Sequence, residues 1–267
     1  MSFALWVVVP YIALTIFAVG HIWRWRTDQF GWTSRTTQIL ESRLLRLGSP
    51  LFHLGVFAAI GGHALGLLVP ESWTAAAGVS EHLYRLVSVT AGTIAGTMVV
   101  AGLALLLVRR LANPRIRSTT TRMDKALFAV MSVTIGLGMA ETVGRNLLGG
   151  GYNYRDTVAV WFRGIFLLHP DSQLMAHAPV AYQLHVFSAL VFIALWPFTR
   201  LVHVWSAPVA YLWRPYIVYR RRAARPPRVT RRRPGRQARQ PVSGAAAAGN
   251  GNPGRPARAP AGQDHHA

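Results

Sequence analysis

A chain of 267 residues that is 51% hydrophobic, 14% charged and of mean hydropathy +0.26 is no ordinary soluble domain; it fits a small polytopic membrane protein. The formal net charge of +20 and the pI of 11.8 would suit a nucleic-acid binder, but they report membrane topology once their distribution is mapped. No cysteine is present, so Cys-ligated iron–sulfur clusters, disulfides and thioether-attached haem are excluded within the chain.

Five apolar runs, at 4–23, 51–70, 85–108, 125–147 and 180–205, match the ~20 residues a spanning helix needs. They predict an all-α integral membrane protein with five transmembrane helices. In the first run the basic residues Arg24 and Arg26 follow the apolar stretch instead of preceding it, so it is expected to be a retained helix, not a signal peptide. The second, "LFHLGVFAAIGGHALGLLVP", carries His53 and His63, and "VSEHLYRLV" opens the third. Before the fourth, "NPRIRSTTTRMDK" predicts a helix cap between Ser118 and Thr121. In the loop 141–181, "DTVAVWFRGIFLL" is expected to lie along the outer membrane surface as an amphipathic helix. The fifth, "YQLHVFSALVFIALWPFTRLVHVWSAP", carries His185 and His203 eighteen positions apart, which is five turns on one face at about 3.6 residues per turn.

The charges orient these helices. The segments 24–50 and 109–125, with everything from Arg200 onward, total +21, whereas the alternate loops total −1. The positive-inside rule then predicts the N-terminus outside and the C-terminus in the cytoplasm. Residues 221–267 are Arg, Pro, Ala, Gly and Gln with hardly a large apolar side chain. They are expected to form a disordered basic tail behind a five-helix domain at 1–220, serving as a solvated topological anchor or touching anionic lipid or an acidic partner.

Histidines inside membrane segments are costly and by default mark function. Helices two and five run in opposite directions, so His53 should meet His203 near the cytoplasmic face and His63 should meet His185 near the outer face. Paired neutral imidazoles are the usual axial ligands of a haem lying between two helices, which would give two b-type haems. Packing histidines and a proton relay are the competing readings. The ligand spacings are unequal: about 15 Å along helix two against about 27 Å along helix five, a difference that a kink at Pro197 could absorb. Gly55, Gly61, Gly62 and Gly66 would let a macrocycle, or equally a neighbouring helix, come close. His21, His169 and His177 have no symmetric partner and read as interfacial. Trp196, Trp205 and Trp213 read as core or interface aromatics.

"SPLFHLGVFAAIGGHALGLLVP", "VRRLANPRIRSTTTRMDKALF" and "LHVFSALVFIALWPFTRLVHVWSAPVAYLWRPY" resemble the respiratory nitrate reductase gamma subunit family, di-haem cytochromes b that anchor that complex in the membrane. The likeness covers about 1–220. It implies the inner haem on His53 and His203 and the outer haem on His63 and His185. It also implies oxidation of menaquinol or ubiquinol near the outer haem, and electron delivery to a cytoplasmic iron–sulfur beta subunit that feeds a molybdenum alpha subunit reducing nitrate. The expected location is the bacterial cytoplasmic membrane. The family's lysine at the outer start of the third helix is missing here, so Gly66, His82 and Arg85 become the candidates for quinol contact. Arg115 and Arg117 are candidates for a haem propionate or for the soluble partner. Two alternatives stay open. One is a related di-haem subunit of a sulfite or heterodisulfide reductase-type complex; the other, of a different class, is a haem-free anchor or transporter.

Overall fold

The computed structural model describes residues 2–206. Among these the fold is all-α, with five helices long and apolar enough to span a membrane, Ala4–Thr27, Arg43–Leu68, Glu81–Ala112, Arg122–Leu147 and Val180–Phe198. Only 11% to 22% of the apolar centre of each is buried within the protein, so most of the apolar surface faces outward, as lipid requires. The chain is a multi-pass membrane protein. The basic tail 221–267 and Trp213 lie outside the described residues.

In chain order, a π-helical turn at Ala4–Val8 leads into α1 (Val9–Thr27), and α2 is Arg43–Leu68. A short α3 (Glu71–Ala76) precedes α4 (Glu81–Ala112). A short α5 (Pro114–Ser118) joins α4 to α6 (Arg122–Met139), which ends in a second π-helical turn at Ala140–Leu147. The remaining helices are α7 (Val158–Phe166), α8 (Ser172–Ala176) and α9 (Val180–Leu195). α2 starts eight residues before its apolar run, because Glu41 Oε1 accepts the Leu44 N–H at 2.8 Å and starts a helix that need not begin in hydrocarbon. The predicted cap before the fourth span is Thr121, whose hydroxyl accepts the Asp124 N–H while Asp124 accepts the Thr121 N–H, each at 3.1 Å.

The long helices pack side by side in the order α1, α9, α6, α4, α2. Contact between α2 and α4 is close because three glycines remove side chains. A Cβ on Gly55 would stand 2.8 Å from the Val99 nitrogen, and one on Gly102 would stand 2.5 Å from the Phe52 nitrogen; Gly48 faces Leu105.

One expectation changes. The fifth span is not one helix: α9 stops at Leu195, Trp196–Phe198 and Arg200–Val204 are 3₁₀ turns, and Thr199 between them is extended at φ −109° and ψ 179°. Pro197 supplies no N–H and cannot continue the ladder. Buried Arg24 takes up carbonyls at the break, donating to Pro197 O and Thr199 O at 2.7 Å each and to Gly31 O at 3.2 Å. His203 therefore stands on a 3₁₀ turn set apart from α9. Within "DTVAVWFRGIFLL", the helix α7 runs from Val158 to Phe166. α7 buries Val158, Trp161 and Ile165 against Trp6, Met175 and Tyr182, forming a cap over one end of the bundle. Trp161 Nε1 donates to Trp6 O at 2.7 Å, Tyr11 Oη to Ile165 O at 3.0 Å and Arg163 Nη1 to Leu67 O at 3.0 Å, so the cap is tied to α1 and α2.

Candidate functional site

The two expected histidine pairs meet. Rings of His53 and His203 have centroids 6.3 Å apart, and those of His63 and His185 are 6.2 Å apart. His53 and His63 are exposed on α2, while His203 and His185 are half-buried on the facing segment.

Each ring is held at the same atom. Nδ1 donates to a backbone carbonyl: Ser49 at 2.7 Å for His53, Ala59 at 2.7 Å for His63, Thr134 at 3.0 Å for His185 and Arg200 at 2.6 Å for His203. A carbonyl can only accept, so the proton sits on Nδ1 and the lone pair on Nε2. No hydrogen bond among the described residues engages Nε2 of any of the four. His21 shows the contrast: its Nδ1 donates to Phe17 O at 2.7 Å, and its Nε2 accepts from Trp205 Nε1 at 3.0 Å, so both nitrogens are used within the protein.

Metal–imidazole bonds of about 2 Å on either side of one ion, plus about 1 Å from each nitrogen to its ring centre, place two trans rings about 6 Å apart. Both pairs match that separation. Among the described residues no group of three or more His, Cys, Asp or Glu gathers around a cation site. Two opposed imidazoles suit a macrocycle that brings its own four donors. A Cβ at Gly61, Gly62 or Gly136 would meet no heavy atom within 4 Å, which leaves the surface of α2 beside His63 open at Gly61 and Gly62 and that of α6 open at Gly136. Gly138 on α6 serves His185 directly: a Cβ there would stand 2.9 Å from His185 Cε1 and push the ring off the Thr134 carbonyl.

Charge around the His53–His203 pair is committed internally. Asp124, 3% exposed, pairs with Arg200 at 2.7 Å and with Arg110 at 4.0 Å, and the Arg200 carbonyl holds His203. Arg109 pairs with Glu41 at 2.6 Å and donates to Thr37 O and Glu41 O. Partial burial raises the Glu41 pKa, but the Leu44 N–H and the Arg109 guanidinium outweigh it and hold the carboxyl below its ordinary value. Arg115 and Arg117 are exposed on α5, and no hydrogen bond among the described residues links either to His53 or His203.

At the other end, Gly66 does not leave the room expected of it. The Tyr154 hydroxyl sits 2.5 Å from where a Cβ would stand, so a tyrosine from the loop fills the place. Burial, with the Tyr84 hydroxyl 3.3 Å away, raises the Tyr154 pKa. Arg155 lies 3.8 Å over the Tyr84 ring and pairs with Glu81 at 3.2 Å, a network that sequence reasoning missed because it joins α4 to a loop about seventy residues on. His82 is exposed on the first turn of α4. Arg85 reaches Asn146 O at 3.5 Å and touches Gly151.

A family model described as nitrate reductase gamma subunit matches residues 2–222. The nitrate reductase gamma chain of Bacillus subtilis is 44% identical over 82% of this chain and 98% of its own length. The respiratory nitrate reductase 1 gamma chain of Escherichia coli is 31% identical over 80% of this chain and 95% of its own. The nitrate reductase-like protein NarX of Mycobacterium tuberculosis is 51% identical over 81% of this chain, which spans about a third (33%) of that relative's length. By the extent of the family match and the length shared with two gamma chains, this chain belongs to the nitrate reductase gamma subunit family.

Proposed function

We propose that the chain is a cytochrome b subunit of the bacterial cytoplasmic membrane that oxidises quinol near the outer face and passes electrons through two b-type haems to a cytoplasmic nitrate reductase. The observation that supports this reading is the shared state of four imidazoles: each is anchored at Nδ1, none has Nε2 in a hydrogen bond among the described residues, and the ring centroids of the two pairs stand 6.3 and 6.2 Å apart, a separation that two imidazoles sharing one metal ion would need. A b-type haem at each pair would supply one-electron redox chemistry, tuned by the carbonyls that hold the imidazoles.

The protein's own residues do the rest. Gly138 lets His185 seat against α6, and the break at Pro197 brings His203 opposite His53 although the two pairs are unequally spaced in sequence. Menaquinol or ubiquinol would bind near His63 and His185, with Arg85 and His82 as polar contacts. Gly66 would serve that region by seating Tyr154. The basic segments 24–50 and 109–125, including exposed Arg115 and Arg117, would face the cytoplasm and receive an iron–sulfur beta subunit, and through it a molybdenum alpha subunit. Membership of the family favours nitrate over the sulfite and heterodisulfide alternatives.

The test is substitution of each ligand in the assembled complex. Alanine at His63 or His185 should remove one of two haems from the reduced-minus-oxidised spectrum and abolish quinol-driven nitrate reduction, while a viologen donor that reduces the soluble subunits directly still works. Alanine at His53 or His203 should remove the other haem. Two haems and normal quinol-driven rates in any of these variants would overturn the ligand assignment. A wild-type complex without haem bands would leave a haem-free anchor.

A further inference from the structure

Among the described residues, one buried acid has no side-chain hydrogen-bond partner. Glu141 is 6% exposed, and its Oε1 is enclosed without a hydrogen bond among the described residues. A buried carboxylate lacking donors is costly to keep. Glu141 stands on the π-helical turn that ends α6, a geometry frequently found at functional sites. It lines a cavity of about 520 Å³ together with Arg145, Gly144, Gly150, Gly151 and Ala181. That volume falls within the roughly 300–1,000 Å³ typical of small-molecule sites. A Cβ on Gly144 or Gly150 would meet no heavy atom within 4 Å, so this wall admits a flat ring.

The cavity lies close to one histidine pair. Gly138, one turn before Glu141, is the residue against which His185 sits. Tyr182, one turn before His185 on α9, accepts from Asn146 Nδ2 at 3.0 Å, and the same nitrogen donates to the Glu141 carbonyl at 3.0 Å. Glu141 thus stands about one helical turn, roughly 5 Å along the axis, beyond the His63–His185 pair. Arg85 marks the rim through Asn146 and Gly151.

We propose that this cavity binds the quinol ring and that the Glu141 carboxylate accepts its protons; the proposal rests on the quinol-oxidising reading above. Each hydroxyl O–H breaks in turn, its proton passing to Glu141 and then to water at the cavity mouth. The two electrons leave toward the His63–His185 pair and finally reduce the iron–sulfur groups of the partner subunit, so quinol becomes quinone. Arg145 on the same wall offers N–H donors to a ring oxygen.

The experiment uses the purified complex with menadiol as donor. Glu141→Gln keeps the side chain's shape and removes the base. It should lower kcat about a hundredfold, the usual scale of a lost general base, with both haems present and viologen-driven nitrate reduction unchanged; Glu141→Asp should recover part of the rate. Gly144→Leu fills the cavity while keeping the glutamate, so it should weaken menadione binding in an equilibrium titration and raise the menadiol KM severalfold. Normal menadiol kinetics in Glu141→Gln would overturn the role of the acid, and unchanged menadione affinity in Gly144→Leu would overturn the cavity as the site even if the glutamine variant failed to assemble. Missing haem bands in the wild-type complex would instead sink the underlying reading.

Discussion

Asp124 shows how much one buried side chain can carry in this protein. Its carboxylate caps α6 through Thr121, pairs with Arg200 and lies 4.0 Å from Arg110. Asp124→Asn keeps a capping oxygen but leaves two largely buried guanidinium groups without their counter-charge, a change that costs about 3 kcal/mol when a buried pair is broken. The expected outcome is a lower midpoint in thermal unfolding, together with loss of order at His203, whose Nδ1 rests on the Arg200 carbonyl. A variant with wild-type unfolding and an unchanged haem spectrum would show that Arg200 and Arg110 find water or other acceptors instead. Nothing local in the sequence announces this role: the pairing of Asp124 with Arg200 spans 76 positions.

Among the elements, the fifth span is the one whose irregularity matters. A continuous helix would carry His203 about 27 Å from His185, whereas the partner histidines on α2 are separated by ten positions, about 15 Å. The break at Pro197, seated on Gly20 and held by Arg24, turns the chain so that both pairs close. Pro197→Ala permits the helix to run on through Thr199. It should displace His203 from His53, reducing two haems to one in the reduced-minus-oxidised spectrum while the His63–His185 signal stays. Retention of both signals would mean that the Arg24 hydrogen bonds alone maintain the break. Pro197 was legible as a kink from its chemistry. That Arg24, 173 positions away, receives the freed carbonyls was not.

For the whole molecule, orientation is the property with the plainest test. The chain lacks cysteine, so single cysteines report cleanly. Gln38 and Leu148 are exposed in the loops on opposite ends of the bundle. With the positive charge inside, an impermeant maleimide added to intact spheroplasts should label Leu148→Cys and spare Gln38→Cys, and inverted vesicles should reverse the pattern. The opposite result would turn the protein over and place quinol oxidation on the cytoplasmic side.

The sequence by itself determined five spans, the absence of thiolate chemistry and which four histidines belong in pairs. Hydropathy, composition and antiparallel topology are properties of segments and of their order, and they survive without knowledge of neighbours. Only the tertiary structure decided that α7 caps the bundle, that Tyr154 occupies the space beside Gly66, that the imidazoles are all anchored at Nδ1, and that Glu141 is enclosed without a donor beside a cavity. Each of these depends on groups brought together from distant parts of the chain, and burial or an unmade hydrogen bond exists only once those groups have met.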